Sequence, residues 1–177
     1  MGPFCSSLQI ANGDPVAEAV LQDTAYHEAG HAVVGAIRDR APISVTIISD
    51  GNVSGKNEFL EDWQSEFANH LSDSPAKRRY IETRVLTEVA GTLVHDMRSP
   101  GRAHDAADAY DERVSPKLIE ENAGWADADR DRYFQQLQET AGRLLHENWP
   151  WVEAVANALI ERNTISTADL MLLRPAK

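Results

Sequence analysis

The chain carries the pentapeptide H-E-A-G-H at residues 27–31, inside an apolar, helix-like run over residues 25–37. In an α-helix, residues four apart lie about 40° apart around the axis and about 6 Å apart along it, so the imidazoles of His27 and His31 can reach one metal ion. Glu28 lies about 100° round from His27, which lets its carboxylate miss the ion and meet a water in the open coordination position. The spacing therefore predicts a helix that carries part of a catalytic metal site.

An H-E-x-x-H pattern on a helix is typical of zinc peptidases, in which the histidines bind zinc and the glutamate is the general base. This assigns His27 and His31 as metal ligands and Glu28 as the catalytic residue. With this chain's own His and Glu frequencies, the pattern arises by chance in about one in a hundred such chains. The plainer interpretation is a polar seam in a metal-free helical domain, which leaves a His-Glu-His cluster that is costly to desolvate.

A catalytic zinc ion usually has three protein ligands, so the third must come from outside the pentapeptide. The metzincin pattern H-E-x-x-H-x-x-G-x-x-H is excluded, because Val34 and Ile37 stand where it has its glycine and its last histidine. The remaining candidates are nearby histidines and aspartates, namely His95, Asp96, His104, Asp105 and Asp108. Spacing alone leaves these alternatives open.

The residues around the pentapeptide extend the pattern to T-A-Y-H-E-A-G-H-A-V-V-G, over residues 24–35. This stretch closely resembles the peptidase domain of the FtsH-type AAA+ membrane-anchored zinc proteases. The likeness continues in later segments: I-S-V-T-I-I-S at 43–49, L-T-E-V-A-G-T-L-V at 86–94, G-R-A-H-D at 101–105, and the stretch 151–170. The resemblance spans roughly residues 18–172.

The resemblance implies a complete ligand set. Asp105 takes the position of the family's metal-binding aspartate, so one Zn²⁺ per chain is expected on His27, His31 and Asp105. His104 is the neighbouring rival for the same role, since imidazole is a good zinc donor. Adjacent residues of a helix, however, point about 100° apart.

The resemblance also implies an outer layer around the metal. FtsH-type proteins usually carry two glutamates where this chain has His95 and Asp96, and one of those glutamates is thought to lie in the outer shell. Asp96, His95 and His104 are therefore the outer-shell candidates, because groups there commonly hydrogen-bond a metal-binding imidazole.

Helical signals dominate the chain. Asp14-Pro15 predicts the start of a helix that runs to Ile37, with Val16 and Val20 as part of its apolar pattern. Further helices are predicted at 75–97, from about 103, at 127–146 and at 150–162, followed by a last turn capped by Thr167.

A β-hairpin is predicted between the first two helices. Residues 42–49 and 53–59 are rich in β-branched side chains, and the D-G-N sequence at 50–52 favours a turn between them. An exposed strand edge near a metal can pair with extended substrate through main-chain hydrogen bonds. The candidates for this substrate strand are Val53, Ser54 and Gly55.

The predicted fold class is α+β and mostly helical, with a zincin-like metal helix, a small β-sheet or hairpin and a C-terminal helical bundle. We expect residues 1–13 to form a disordered tail and residues 14–177 to form a single FtsH-peptidase-like zinc protease domain.

Charge and composition argue against several classes of binding partner. The formal charge of −11 argues against nucleic acid and anionic lipid, because the long-range field repels both. No run approaches the ~18 apolar residues of a membrane span. The single Cys5 excludes a cysteine-rich zinc site and favours a reducing compartment, by default the cytoplasm. No G-x-x-x-x-G-K-[ST] loop occurs, so we expect this chain to bind no nucleotide.

Together these features predict a zinc-dependent metalloendopeptidase that cuts unfolded or flexible polypeptides through a metal-activated water. A separate ATPase or unfoldase could deliver folded substrates, and a homo-oligomer like the family's hexamers is left open. The alternative is a catalytically weak or inactive regulatory module that keeps the peptidase fold and its metal, which the altered pair at His95 and Asp96 motivates. Retention of Glu28 argues against it, since a pure binder needs no general base.

Overall fold

The computed structural model describes residues 15–49, 55–59, 75–101, 103, 108, 115, 117, 119 and 127–176. The described part of the chain is mostly helical and contains a small three-stranded antiparallel sheet, which confirms the predicted fold class. The helices are α1 (Pro15–Ile37), α2 (Pro75–Arg98), α3 (Asp127–Glu147), α4 (Trp149–Arg162) and α5 (Thr167–Leu172). The strands are β1 (Ser44–Thr46), β2 (Lys56–Glu58) and β3 (Thr164–Ser166).

Helix α1 is the central element, and it packs mainly against α2 and α4. Its second half is continuously buried from Ala29 to Gly35. The approach to α2 is close at Gly30, where an added Cβ atom would lie 2.8 Å from the carbonyl oxygen of Ala90. The first turns of α1 differ, since Val16 and Val20 are 70% and 58% exposed despite their place in the apolar pattern.

The two strands predicted between the first two helices pair with each other, although each is only three residues long. β1 pairs with β2 in an antiparallel register that sets Val45 opposite Asn57. The third strand, β3, was not predicted from the sequence, and it pairs with the other edge of β1 so that Ile165 also lies opposite Val45. A three-residue strand is too short to show a period of two. The sheet order β2-β1-β3 leaves β2 at one edge of the described sheet.

Hydrogen bonds hold the short C-terminal helix α5 in place. Ser166, and not Thr167 as predicted, is the N-cap of α5, and it forms a capping box with Asp169. The side-chain hydrogen bond from Ser166 lowers the pKa of Asp169. Thr167 instead donates to the carbonyl oxygen of Pro42 at 2.6 Å, so it ties α5 to the chain before β1. The buried Trp151 donates from Nε1 to the carbonyl oxygen of Leu170.

None of the helices in the described ranges combines the length and the apolar character that a bilayer crossing requires.

Candidate metal centre

The two histidines of the pentapeptide face each other across one turn of α1. His27 is 4% exposed and His31 is 8% exposed, and their Nε2 atoms lie 2.9 Å apart. Nδ1 of His31 is 2.7 Å from the main-chain carbonyl oxygen of Thr87 on α2. A carbonyl oxygen only accepts, so Nδ1 of His31 is the donor, and in the neutral ring its Nε2 carries the lone pair, which faces His27.

This arrangement fits a zinc ion. Zinc binds imidazole nitrogen at about 2.0–2.1 Å in tetrahedral geometry, which puts two such nitrogens about 3.3 Å apart. The Nε2 atoms of His27 and His31 reach that separation if each ring moves by a few tenths of an ångström from its present position. The other nitrogen of His31 already has the second hydrogen-bond partner that metal-binding histidines almost always have.

Glycine 91 makes room for both imidazoles. A Cβ atom added to Gly91 would lie 2.5 Å from Nε2 of His31 and 2.7 Å from Nε2 of His27, closer than real Cβ atoms come to neighbouring atoms. Gly91 belongs to α2, so the backbone of that helix forms one wall of the site. The cost of about 1 kcal/mol for a glycine inside a helix has its packing reason here.

Glu28 is 6% exposed and is anchored to the sheet. Nδ2 of Asn57 donates to Oε2 of Glu28 at 2.6 Å and to its main-chain oxygen at 3.0 Å. Gly55 is buried against the same carboxylate, where an added Cβ atom would lie 2.6 Å from Oε1 of Glu28. Sequence reasoning missed Asn57, because a polar residue in a short strand is an ordinary surface feature.

A second group of buried side chains lies on the other side of His27. His27, His95 and Asp108 each offer a ligand atom, and these atoms lie within 4.8 Å of one another. Among the residues that the structure describes, these three side chains form a cluster that could hold a metal ion. Oδ1 of Asp108 lies 2.8 Å from Nδ1 of His95 and 3.6 Å from Nδ1 of His27. Asp108, which spacing left among the open candidates, is thus next to the pentapeptide.

Of the other predicted site residues, the structure describes the positions of His95, Asp96 and Gly55. His95 lies beside His27, with ring centroids 4.8 Å apart, whereas Asp96 is only partly buried. Gly55 lies against Glu28 and immediately precedes β2. The remaining candidates fall outside the described residues, namely Val53, Ser54, His104 and Asp105.

No protein-family model matches the chain. Individual curated proteins are similar to the chain, and three of them, described next, carry the name ATP-dependent zinc metalloprotease FtsH. The protein of Acidimicrobium ferrooxidans is 28% identical over 183 residues, which cover 82% of this chain and 26% of the relative. That of Rickettsia prowazekii is 28% identical over 172 residues, covering 81% of this chain and 27% of the relative. The protein of Chloroflexus aggregans is 31% identical over 180 residues, which cover 82% of this chain and 27% of the relative.

These matches confirm the resemblance to FtsH-type zinc metalloproteases. The chain spans about a quarter of the length of the curated relatives it matches. The likeness is therefore to one region of those proteins, and it extends over most of this chain.

Proposed function

We propose that this chain is a zinc-dependent metalloendopeptidase that hydrolyses peptide bonds in unfolded or flexible polypeptides. The observation that carries the proposal is the pair of Nε2 atoms of His27 and His31, 2.9 Å apart, with the buried carboxylate of Glu28 on the same helix. The similarity to FtsH zinc metalloproteases supports the same reaction class.

In this proposal His27, His31 and Asp105 hold one Zn²⁺, with Asp105 assigned by the resemblance. When bound, the ion supplies Lewis-acid polarisation of the scissile carbonyl and of the attacking water. A carboxylate oxygen of Glu28 takes the proton from that water and later passes it to the leaving amine. The hydrogen bond from Nδ2 of Asn57 to Oε2 supports this role, since it orients the carboxylate.

The substrate is proposed to bind as an extended strand beside β2. Strand β2 is an edge of the described sheet, and its residue Asn57 connects it to Glu28, the proposed general base. Pairing through main-chain hydrogen bonds accepts many sequences but requires a locally unfolded chain. Val53, Ser54 and Gly55 remain the candidate contacts.

Delivery of folded substrates is proposed to depend on a separate ATPase or unfoldase, and assembly into a homo-oligomer belongs to the same proposal. The name ATP-dependent, which the relatives carry, supports such a partner. The proposed location is the cytoplasm, a reducing compartment that suits a chain with one cysteine.

The experiment compares casein cleavage by the zinc-loaded protein, by Glu28→Gln and by Glu18→Gln. Glu18 is an exposed glutamate of the same helix, so its variant controls for the change of charge and helix propensity. Glu28→Gln should retain zinc and lose cleavage, while Glu18→Gln keeps both. Cleavage that survives in Glu28→Gln, or that needs no zinc, would falsify the proposal. A zinc-loaded wild type that does not cleave casein would favour the metal-binding regulatory module.

A further inference from the structure

A buried carboxylate lies on the opposite edge of the His27 ring from the proposed zinc position. Asp108 is 0% exposed, and the same oxygen, Oδ1, faces Nδ1 of His95 and Nδ1 of His27. Burial of a carboxylate is costly unless it is paired and hydrogen-bonded. The pentapeptide by itself gives no reason for a carboxylate at this position.

The hydrogen bonds of His95 show how Asp108 is held. Nε2 of His95 is 3.0 Å from the carbonyl oxygen of Asp23, which only accepts, so Nε2 is the donor there. Nδ1 of His95 is 2.8 Å from Oδ1 of Asp108. His95 therefore bridges α1 and Asp108 with both ring nitrogens.

The two ring nitrogens of His27 face different groups. Its Nε2 faces His31, and its Nδ1 faces Asp108. If Nε2 gives its lone pair to a metal ion, the proton of the neutral ring lies on Nδ1, where a carboxylate can accept it. The present separation of 3.6 Å is longer than a hydrogen bond, and the two atoms would have to approach by about half an ångström to reach the range of about 2.7–3.2 Å.

We propose that Asp108, held in place by His95, is the carboxylate that accepts the Nδ1 proton of His27 and orients that ring toward the zinc ion. Thr87 performs the matching task for His31 through its main-chain oxygen. Asp108 and His95 are positioning residues, and neither binds the metal. The inference rests on the proposed function only in requiring a zinc ion on the Nε2 atoms of His27 and His31.

The first test measures the zinc dissociation constant by competition with a chromogenic chelator, for the wild type, Asp108→Asn and His95→Gln. Loss of an outer-shell partner typically weakens metal binding by about 10- to 100-fold, and this is the expected result for Asp108→Asn. His95→Gln should shift the constant in the same direction. Because both residues act through one contact, the double variant should lose less than the product of the two single losses.

Thr83→Val is the matched control. Thr83 is a buried polar residue of α2, 7% exposed, and lies one turn before Thr87. The substitution replaces a buried hydroxyl group by a methyl group without changing a residue that we assign to the zinc site or to its outer layer. Its zinc dissociation constant should remain within about threefold of the wild type, so a general loss of packing is separated from loss of orientation.

The second test uses long-range ¹H–¹⁵N NMR spectra of the zinc-loaded protein to identify the protonated nitrogen of His27. The expected spectrum shows a proton on Nδ1 whose exchange with water is slow in the wild type and faster in Asp108→Asn. Thr83→Val should leave the His27 signals in place. This readout does not depend on proteolysis.

Three results would overturn the inference. The zinc dissociation constant could be unchanged in Asp108→Asn. Zinc could be lost entirely from that variant but kept in Asp105→Asn, which would make Asp108 a ligand. A second equivalent of zinc, lost in His95→Gln, would make the cluster a metal site of its own. If zinc affinity responds as expected but casein is never cleaved, the proposed function fails and this inference stands.

Discussion

Asn57 donates both hydrogen bonds of its amide nitrogen to Glu28, one to Oε2 and one to the main-chain oxygen. Since both acceptors are oxygens, the orientation of the amide is determined by its surroundings. The pair ties an edge strand of the sheet to the metal helix at the residue proposed to be the general base. Substrate binding at that strand and orientation of the base are thereby linked.

Replacement of Asn57 by aspartate should reduce kcat/KM for a peptide substrate by about 10- to 100-fold, because a second carboxylate 2.6 Å from Oε2 would repel Glu28 from its position. Asn57→Ala, which removes the hydrogen bonds without adding charge, should be less damaging. Lys56→Ala changes an exposed neighbour on the same strand and is the control. Steady-state kinetics at equal zinc content make the comparison, and a fully active Asn57→Asp enzyme would contradict it.

Replacement of Gly91 by alanine should weaken zinc binding by more than tenfold and destabilise the fold by about 1–3 kcal/mol, since the new methyl group would overlap both imidazoles. Gly142 is the matched control, a glycine of α3 with no atom within 4 Å of an added Cβ. Gly142→Ala should stabilise the protein by up to about 1 kcal/mol. Urea unfolding and zinc titration measure both variants, and equal effects would refute the proposed contact.

Removal of Asp105 should abolish stoichiometric zinc binding, because two histidines leave the ion one protein ligand short. His104→Ala should keep about one zinc per chain. Plasma mass spectrometry of the purified proteins gives the metal content directly. Retention of zinc in Asp105→Ala together with its loss in His104→Ala would reverse the assignment of the third ligand.

The raised pKa of Tyr133 predicts that the free energy of unfolding falls in alkaline solution. Burial first, and then the hydrogen bond that its hydroxyl donates to Glu82, raise the pKa of Tyr133 to about 12. The pKa of an unfolded tyrosine is about 10, so this group's contribution to stability is fully present below about pH 10 and is lost as the pH rises toward 12.

The difference in unfolding free energy between the wild type and Tyr133→Phe should therefore shrink over that interval. Absorbance titration near 295 nm should show one late tyrosinate that the variant lacks. A difference that stays constant to pH 12 would show that the phenol is not held in its neutral form by the fold.

Much of the secondary structure follows from local signals. Pro75 and the S-P-G sequence at 99–101 bound a helix predicted at 75–97 and found at Pro75–Arg98. The hairpin was predicted from two β-rich segments, and in the described part of those segments residues 44–46 pair with residues 56–58. β3 was missed because it depends on its pairing with β1, which a segment of three residues does not signal by periodicity. The capping role of Ser166 was missed although the S-T-A-D sequence at 166–169 signals a capping box locally.

The sequence by itself determined the metal helix, since a spacing of four residues places His27 and His31 on one face wherever a helix forms. Only the tertiary structure decided what surrounds that face. Asn57 reaches Glu28 from a strand 29 residues away, and Thr87 reaches His31 from 56 residues away. Such contacts are set by how α2 and the sheet pack on α1, and no local period encodes that packing.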